Sequence, residues 1–139
     1  MVDKFTKWIE AKPVKTAEVG PVIDFISGVV HHYGVSHSII TDNGSNFIAD
    51  EVKSWCAKLA IKLDYASVYH PQTNGQVERA NGLIRCGIMP RLVRSLKESD
   101  KHWVEEIDSV LWGLRTTPNG TTGYTPFFMV YDAEAVLPC

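Results

Sequence analysis

The sequence predicts an α/β domain in which helices cover a sheet with parallel pairing. Two observations support this class. The chain has 139 residues and 45% apolar content, which is enough for one globular core. Apolar segments of strand length alternate with segments of helical period over its first half, and this strand–helix–strand order favours parallel pairing.

Periodicity places five elements in the first half of the chain: strands at 8–11, 35–41 and 61–68, and amphipathic helices at 21–33 and 45–59. Pro13 ends the first strand. Pro21 fits only the first turn of a helix, so the first helix is predicted to begin there. Gly34 is a natural helix stop.

The second half is predicted to be mostly helical. Residues 69–76 are rich in Pro, Asn, Gly, Gln and Thr, which predicts a loop. The helical pattern starts at Val77, and Pro90 is expected to interrupt it because proline lacks the amide donor and clashes with the preceding turn. The remaining predicted helices lie at 91–96, 101–115 and 126–129.

Composition excludes several classes of function. The net charge is −2, so the chain lacks the overall basicity of an autonomous DNA-binding module. Any DNA contact must therefore come from a local basic patch. The candidate patch could equally be the solvated face of one or two helices. Its members are Arg79, Arg85, Arg91, Arg94 and Lys97. No apolar run approaches the roughly 20 residues needed to cross a bilayer.

The three cysteines, Cys56, Cys86 and Cys139, show no CxxC spacing. This pattern indicates neither a zinc ribbon nor a disulfide framework. The odd count and the absence of a secretory signal predict a reducing, intracellular setting.

Two carboxylates stand in distinctive settings. Asp42 ends the predicted strand 35–41 and precedes an Asn-Gly turn, at the sheet edge where ligands collect in open α/β folds. Glu78 lies at the start of the helix after the predicted loop. Alone, Asp42 could be a turn former and Glu78 a favourable helix-dipole charge. Together they are the kind of ligands that a divalent-metal phosphoryl-transfer site needs.

Longer motifs surround these two residues. The segments VDKFTKWIEA at 2–11, ITDNGSNF at 40–47 and HPQTNGQVE at 70–78 resemble the catalytic core of retroviral-type integrases. The segments LWGLRTTP at 111–118 and GYTPF at 123–127 resemble, more narrowly, the integrases of gypsy-type long-terminal-repeat retrotransposons of plants. The resemblance covers essentially the whole chain in order.

The resemblance implies an RNase H-like fold with an Asp, Asp and Glu triad, 35 residues separating the last two. Asp42 and Glu78 match those two catalytic, metal-binding positions, spacing included. The implied reactions are trimming of the element's DNA ends and strand transfer into target DNA, both with Mg²⁺ or Mn²⁺. Such a metal prefers carboxylate and water ligands. Family members act as multimers on DNA, so the resemblance implies a homo-oligomer that binds DNA. It also implies a nuclear location.

Further DNA contacts follow from the resemblance. Asn81 and Arg85 lie three and seven residues after Glu78, on the same helical face. Gly75 and Gln76 would belong to the loop that clamps the DNA end. For Arg85, plain surface exposure is the alternative. Asn46, next to the Asp42 turn, is expected to cap the following helix, with orientation of Asp42 as the alternative.

The chain also departs from the family. The family's first Asp lies on a strand that precedes the segment matched by Val2 and Asp3, so we expect the core to lack the first strand and most of the second. We expect the chain to be a fragment of a transposon polyprotein that is inactive by itself. Its strand 35–41 is expected to have an exposed hydrogen-bonding edge. Asp132 stands where the family usually has glycine. The alternatives are an RNase H-like nuclease and an inert or DNA-binding remnant.

Overall fold

The computed structural model describes residues 1–66, 75–94 and 102–136. Its mixed order of helices and strands confirms the α/β class. The elements are α1 (Val19–Tyr33), β1 (Ser38–Thr41), α2 (Ser45–Ile48), α3 (Asp50–Lys58), β2 (Lys62–Tyr65), α4 (Gly75–Arg94), α5 (His102–Thr116) and α6 (Pro126–Tyr131). The chain divides into two compact units, Lys12–Gly75 and Met1–Ala11 with Gln76–Cys139.

In the unit Lys12–Gly75, β1 pairs in parallel with β2, from Ser38 opposite Lys62 to Thr41 opposite Tyr65. This confirms the predicted parallel pairing. Helix α1 packs against α3, and α3 packs against β2. The buried apolar residues of this unit are Val22, Ile26, Ile39, Val52, Cys56, Ile61 and Ala66. Burial raises the pKa of the Cys56 thiol, which keeps this free cysteine neutral within the core.

Helix α1 begins at Val19, two residues before the predicted start. Pro21 therefore lies in the first turn rather than at the first position. The amides of the first turn have no acceptor within the helix, so a proline there removes no hydrogen bond. The helix ends as predicted at Gly34, whose φ is 87° and whose amide donates to the Val30 carbonyl at 2.9 Å.

The helix predicted at 45–59 is two helices. The backbone of Ala49 is extended, with φ −58° and ψ 140°, and separates α2 from α3. Asp50 and Glu51 occupy the first turn of α3, where the helix dipole favours negative charge. The single-helix prediction was therefore wrong at Ala49, because the apolar periodicity continues across this break and gives no sign of it.

The strand predicted at 8–11 is only an isolated antiparallel bridge between Val2 and Ile9. The chain between them is a tight turn, in which the Asp3 carboxylate accepts hydrogen bonds from the amides of Phe5 and Thr6. Among the described residues no further strand extends this bridge. The strand prediction was wrong because Trp8 and Ile9 are adjacent and both buried, so the segment lacks the alternation of buried and exposed positions that a half-buried strand has.

The second unit is built around α4 and α5. Its core contains Ile9, Ala80, Ile107 and Leu111, with other apolar side chains packed around them. The Arg115 guanidinium donates to the Ile9 carbonyl from Nε at 3.0 Å and from Nη2 at 2.8 Å.

Arg115 also makes two further contacts with the amino-terminal segment. Its Nη2 lies 2.9 Å from Glu10 Oε2, and its guanidinium carbon lies 4.4 Å from the centre of the Trp8 ring. Both partners of the ion pair are mostly buried, so the pair is weakly screened by solvent. These contacts fix the amino-terminal segment against α5.

Helix α4 continues through Pro90, so the predicted interruption was wrong. A proline inside a helix costs one amide donor and crowds the preceding turn, but α4 is held by burial of Ala80 and by packing of Ile84 and Ile88 on the core. Tertiary packing therefore outweighs the local cost of the proline.

Helix α5 ends and α6 begins near the predicted positions. The Thr117 hydroxyl donates to the Gly113 carbonyl at 2.7 Å, and the Thr125 hydroxyl caps α6 by accepting from the Phe128 amide at 3.0 Å. Pro126 takes the first helical position. Asp132 ends α6 in the left-handed region, at φ 53°. In the described ranges, every helix is too short or too polar to cross a bilayer.

Candidate catalytic site

Asp42 follows the last residue of β1, as predicted, and is exposed. Its Oδ1 accepts a hydrogen bond from the Gly44 amide at 3.1 Å, which closes a turn and orients the carboxylate. A Cβ at Gly44 would lie 3.0 Å from Asp42 Oδ1 and 2.7 Å from Asn46 Oδ1. Gly44 therefore provides the space in which these two side-chain oxygens approach the backbone.

Asn46 does not cap the helix that follows. The residue at the cap of α2 is Gly44, and no side chain supplies a capping hydrogen bond. The capping prediction for Asn46 was wrong because α2 starts at Ser45, two residues earlier than that role requires. Its Oδ1 lies over Gly44 instead.

Hydrogen bonds connect the carboxyl ends of β1 and β2 next to Asp42. The Ala66 amide donates to the Thr41 carbonyl at 2.8 Å, and the Asn43 side-chain amide reaches the Ala66 carbonyl at 3.4 Å. The Thr41 hydroxyl is buried and has no hydrogen-bond partner in the part of the chain that the structure describes. Asp42 thus stands on a short, well-bonded strand end.

Glu78 lies in the first turn of α4, as the sequence predicts, and is exposed. The buried Ala80 anchors the same turn in the core of its unit. Gly75 and Gln76 already belong to α4, so the loop prediction was wrong for these two residues. The remainder of the predicted loop, residues 69–74, lies outside the described residues. Gln76 is exposed, and its Oε1 accepts a hydrogen bond from Lys7 Nζ at 3.4 Å.

Asn81 and Arg85 are both exposed on α4. The structure brings them together along one groove of about 240 Å³. The groove is lined by Asn81, Ile84, Arg85, Ile88, Met89, Trp103 and Ile107. Of the predicted basic patch, Arg79 is exposed on the same helix. The side chains of Arg91 and Arg94, and the whole of Lys97, lie outside the described residues.

The two predicted catalytic residues belong to different units. Asp42 is part of Lys12–Gly75, and Glu78 is part of the other unit. Within residues 1–66, 75–94 and 102–136, no three carboxylate, histidine or cysteine side chains converge on a point that could hold a metal ion. The donor chemistry of Asp42 and Glu78 fits a hard divalent cation, since both offer exposed carboxylate oxygens.

Sequence reasoning missed Lys7. Its backbone lies in the left-handed region, at φ 63°, and its ammonium reaches the first turn of α4. The available signal was local: Asp3 followed by Thr6 is typical of a turn in which an Asp side chain bonds to nearby amides. No pattern indicated the contact between Lys7 and Gln76.

Comparison with known proteins first defines the class. A chain of the simian T-cell lymphotropic virus intasome, in complex with PP2A regulatory subunit B56 gamma, superposes with a TM-score of 0.81 at 22% identity; the match covers 99% of this chain and 48% of that one. The HTLV-2 integrase catalytic core domain in complex with magnesium matches with a TM-score of 0.77 at 23% identity, over 94% of this chain and 81% of that one. The fold is that of RNase H-like integrase cores, which confirms the predicted fold class.

The sequence comparisons then define the family. The TnsB C-terminal domain family matches residues 12–93, more than half of the chain. The Gag-Pol polyprotein of feline leukemia virus is 34% identical over 95% of this chain. The chain therefore belongs to the TnsB C-terminal domain family, and it is similar in sequence to retroviral Gag-Pol polyproteins. It spans 8% of the length of that polyprotein.

Proposed function

We propose that this chain supplies Asp42 and Glu78 to the metal site of an integrase that trims the DNA ends of a mobile element and joins them to target DNA. The observation that carries the proposal is the setting of the two carboxylates. Their 35-residue separation matches the family, and each is exposed at the end of an anchored element, Asp42 after β1 and Glu78 in the first turn of α4.

The residues have distinct roles in this proposal. Asp42, oriented by the Gly44 amide, and Glu78 would hold Mg²⁺ or Mn²⁺. When bound, such ions activate the attacking oxygen and stabilise the leaving oxygen of an in-line phosphoryl transfer. Asn81 and Arg85 would contact DNA near these carboxylates, and Gly75 and Gln76 would contact the DNA end. The partners are DNA of the element ends and of the target, and further copies of the chain, acting in the nucleus.

The narrower source of the element is part of the proposal. The segments at 111–118 and 123–127 favour a gypsy-type long-terminal-repeat retrotransposon of plants. In the structure these segments form the end of α5, a turn and the start of α6. The first Asp of the family's triad has no counterpart among the 139 residues, so we propose that this polypeptide alone is catalytically inactive.

A strand-transfer assay tests the proposed function. The chain, extended at its amino terminus by a strand that carries an aspartate, is incubated with Mg²⁺, labelled element-end DNA and a plasmid target. We expect joined products from the extended polypeptide and none from the 139-residue chain. Asp42→Asn and Glu78→Gln should each abolish joining, whereas Asp50→Asn, a matched change at another exposed carboxylate of the same unit as Asp42, should leave it intact.

The other outcomes separate the alternatives. Cleavage of DNA without joining would identify a nuclease instead. DNA binding with neither reaction would identify a remnant retained for binding. Joining that persists in the Asp42→Asn or Glu78→Gln variant would remove that residue from the site.

A further inference from the structure

Lys7 occupies a backbone position that suits glycine better than lysine. Its φ of 63° is in the left-handed region, where the Cβ of any L-residue crowds the carbonyl oxygen. Glycine has no such penalty. A strained residue of this kind persists only when its surroundings impose the conformation, and such residues concentrate at ligand-binding sites.

The surroundings of Lys7 do impose that conformation. Asp3 Oδ1 accepts from the Thr6 amide at 2.6 Å and from the Thr6 hydroxyl at 2.7 Å. The Lys7 amide donates to the Asp3 carbonyl at 3.1 Å, and the Asp3 amide donates to the Trp8 carbonyl at 2.9 Å. Trp8 itself is buried. The turn is therefore anchored on both sides, which holds the Lys7 backbone in the left-handed region.

The Lys7 ammonium lies at the first turn of α4. Lys7 Nζ donates to Gln76 Oε1 at 3.4 Å and also to the Lys4 carbonyl. Gln76 precedes Glu78 by two residues on the same helix. An ammonium carries three donors, so one remains for another acceptor after these two contacts.

We propose that Lys7 binds a backbone phosphate of DNA next to the first turn of α4, an inference that rests on the proposed function in DNA integration. A lysine ammonium is a compact charge that pairs with a single phosphate oxygen. The contact with Gln76 positions this charge. Glycine would relieve the strained backbone but would remove the ammonium, so lysine is retained at this position.

The substitution Lys7→Gly gives two readouts of opposite sign. The variant should unfold at a temperature about 3–5 °C higher than the unmodified chain, because glycine relieves the strained φ. It should also bind a fluorescent DNA duplex of about 20 base pairs roughly tenfold more weakly at about 50 mM NaCl. The slope of log K against log salt concentration should fall by about one, which corresponds to one lost phosphate contact.

Two further variants serve as controls, measured by fluorescence anisotropy and thermal unfolding on the full chain. Lys4→Gly removes the same charge from the same turn at a residue that is not in the left-handed region, and it should leave the salt slope unchanged and not raise the unfolding temperature. Lys7→Arg keeps the charge and should retain affinity within about twofold.

Each remaining outcome is decisive. Equal DNA affinity for Lys7→Gly and the unmodified chain would overturn the phosphate contact, as would equal losses for Lys7→Gly and Lys4→Gly. If the unmodified chain fails to bind the duplex at low salt, the proposed function itself fails, and the role of Lys7 fails with it.

Discussion

Ala60 illustrates at the scale of a single residue how this chain tolerates local strain. It has φ 56° and follows the end of α3. The Ile61 amide donates to the Cys56 carbonyl at 2.9 Å, and the Ala60 amide donates to the Ala57 carbonyl at 3.0 Å. These two bonds are those of a Schellman motif, in which glycine normally holds the left-handed position. The buried Ile61 and Cys56 complete it with an apolar pair.

Replacing Ala60 with glycine should therefore stabilise the protein. Relief of the left-handed conformation outweighs the extra entropy that glycine gains in the unfolded chain, so we expect the free energy of unfolding to rise by about 0.5–1 kcal/mol. The matched control is Ala57→Gly, the same change at an exposed helical residue three positions earlier, which should cost roughly 0.5–1 kcal/mol. Urea denaturation followed by circular dichroism measures both, and equal destabilisation by the two changes would contradict the assignment.

Asp132 repeats the pattern at the end of α6, with φ 53° where the family usually has glycine. Its sequence context predicted a departure from the family but not its geometry. The left-handed conformation shows why glycine suits the position. Asp is among the few other residues that adopt this conformation at modest cost.

At the scale of the elements, the packing of α4 on α5 depends on Gly87. A Cβ at this position would lie 2.7 Å from Val110 Cγ1 and 3.2 Å from Val110 Cγ2. Val110 is buried, so its side chain has little room to move away. Gly82, five residues earlier on the same helix, has nothing within 4 Å of its corresponding Cβ position.

Alanine at these two glycines should change stability in opposite directions. We expect Gly87→Ala to lower the free energy of unfolding by about 1–3 kcal/mol through overpacking. Gly82→Ala should raise it by up to about 1 kcal/mol, because alanine favours the helix and meets no neighbour. Thermal unfolding of the two variants checks this, and a rise in Tm for Gly87→Ala would show that α5 does not approach α4 as described.

Most elements could be predicted from apolar periodicity, and the errors have physical causes. Periodicity could not detect that Ala49 interrupts the helix predicted at 45–59, since apolar residues continue on both sides. It overstated the effect of Pro90, because local propensity omits the packing that holds α4. It predicted a strand at 8–11, where the structure has only an isolated bridge at Ile9, because residue types alternate there although Trp8 and Ile9 are both buried.

At the scale of the whole molecule, the two central carboxylates lie in separate units, and each could be located from the sequence. The end of a strand before an Asn-Gly turn predicted the setting of Asp42, and the start of a helical pattern predicted that of Glu78. No periodicity could relate the two, because 35 residues of chain do not define a distance in space. Only the family resemblance assigns them to one site.

Family motifs also differ in what they do in the folded chain. The segment at 111–118 ends α5 through the hydroxyls of Thr116 and Thr117. The segment at 123–127 contributes the left-handed Gly123 and the Thr125 cap of α6. These two segments contribute to the architecture, whereas ITDNGSNF and the residues around Glu78 carry the proposed chemistry.

The central proposal is that Asp42 and Glu78 hold a divalent metal ion, and paramagnetic broadening by Mn²⁺ tests this proposal most directly. In NMR spectra of the ¹⁵N-labelled chain, substoichiometric Mn²⁺ should broaden the amide signals of residues 42–44 and 78–80. Asp42→Asn and Glu78→Gln should each remove the broadening at both segments, while Asp50→Asn should leave it unchanged. Broadening that survives at one segment when the carboxylate of the other is replaced, or that centres on Asp50 and Glu51, would contradict a shared site.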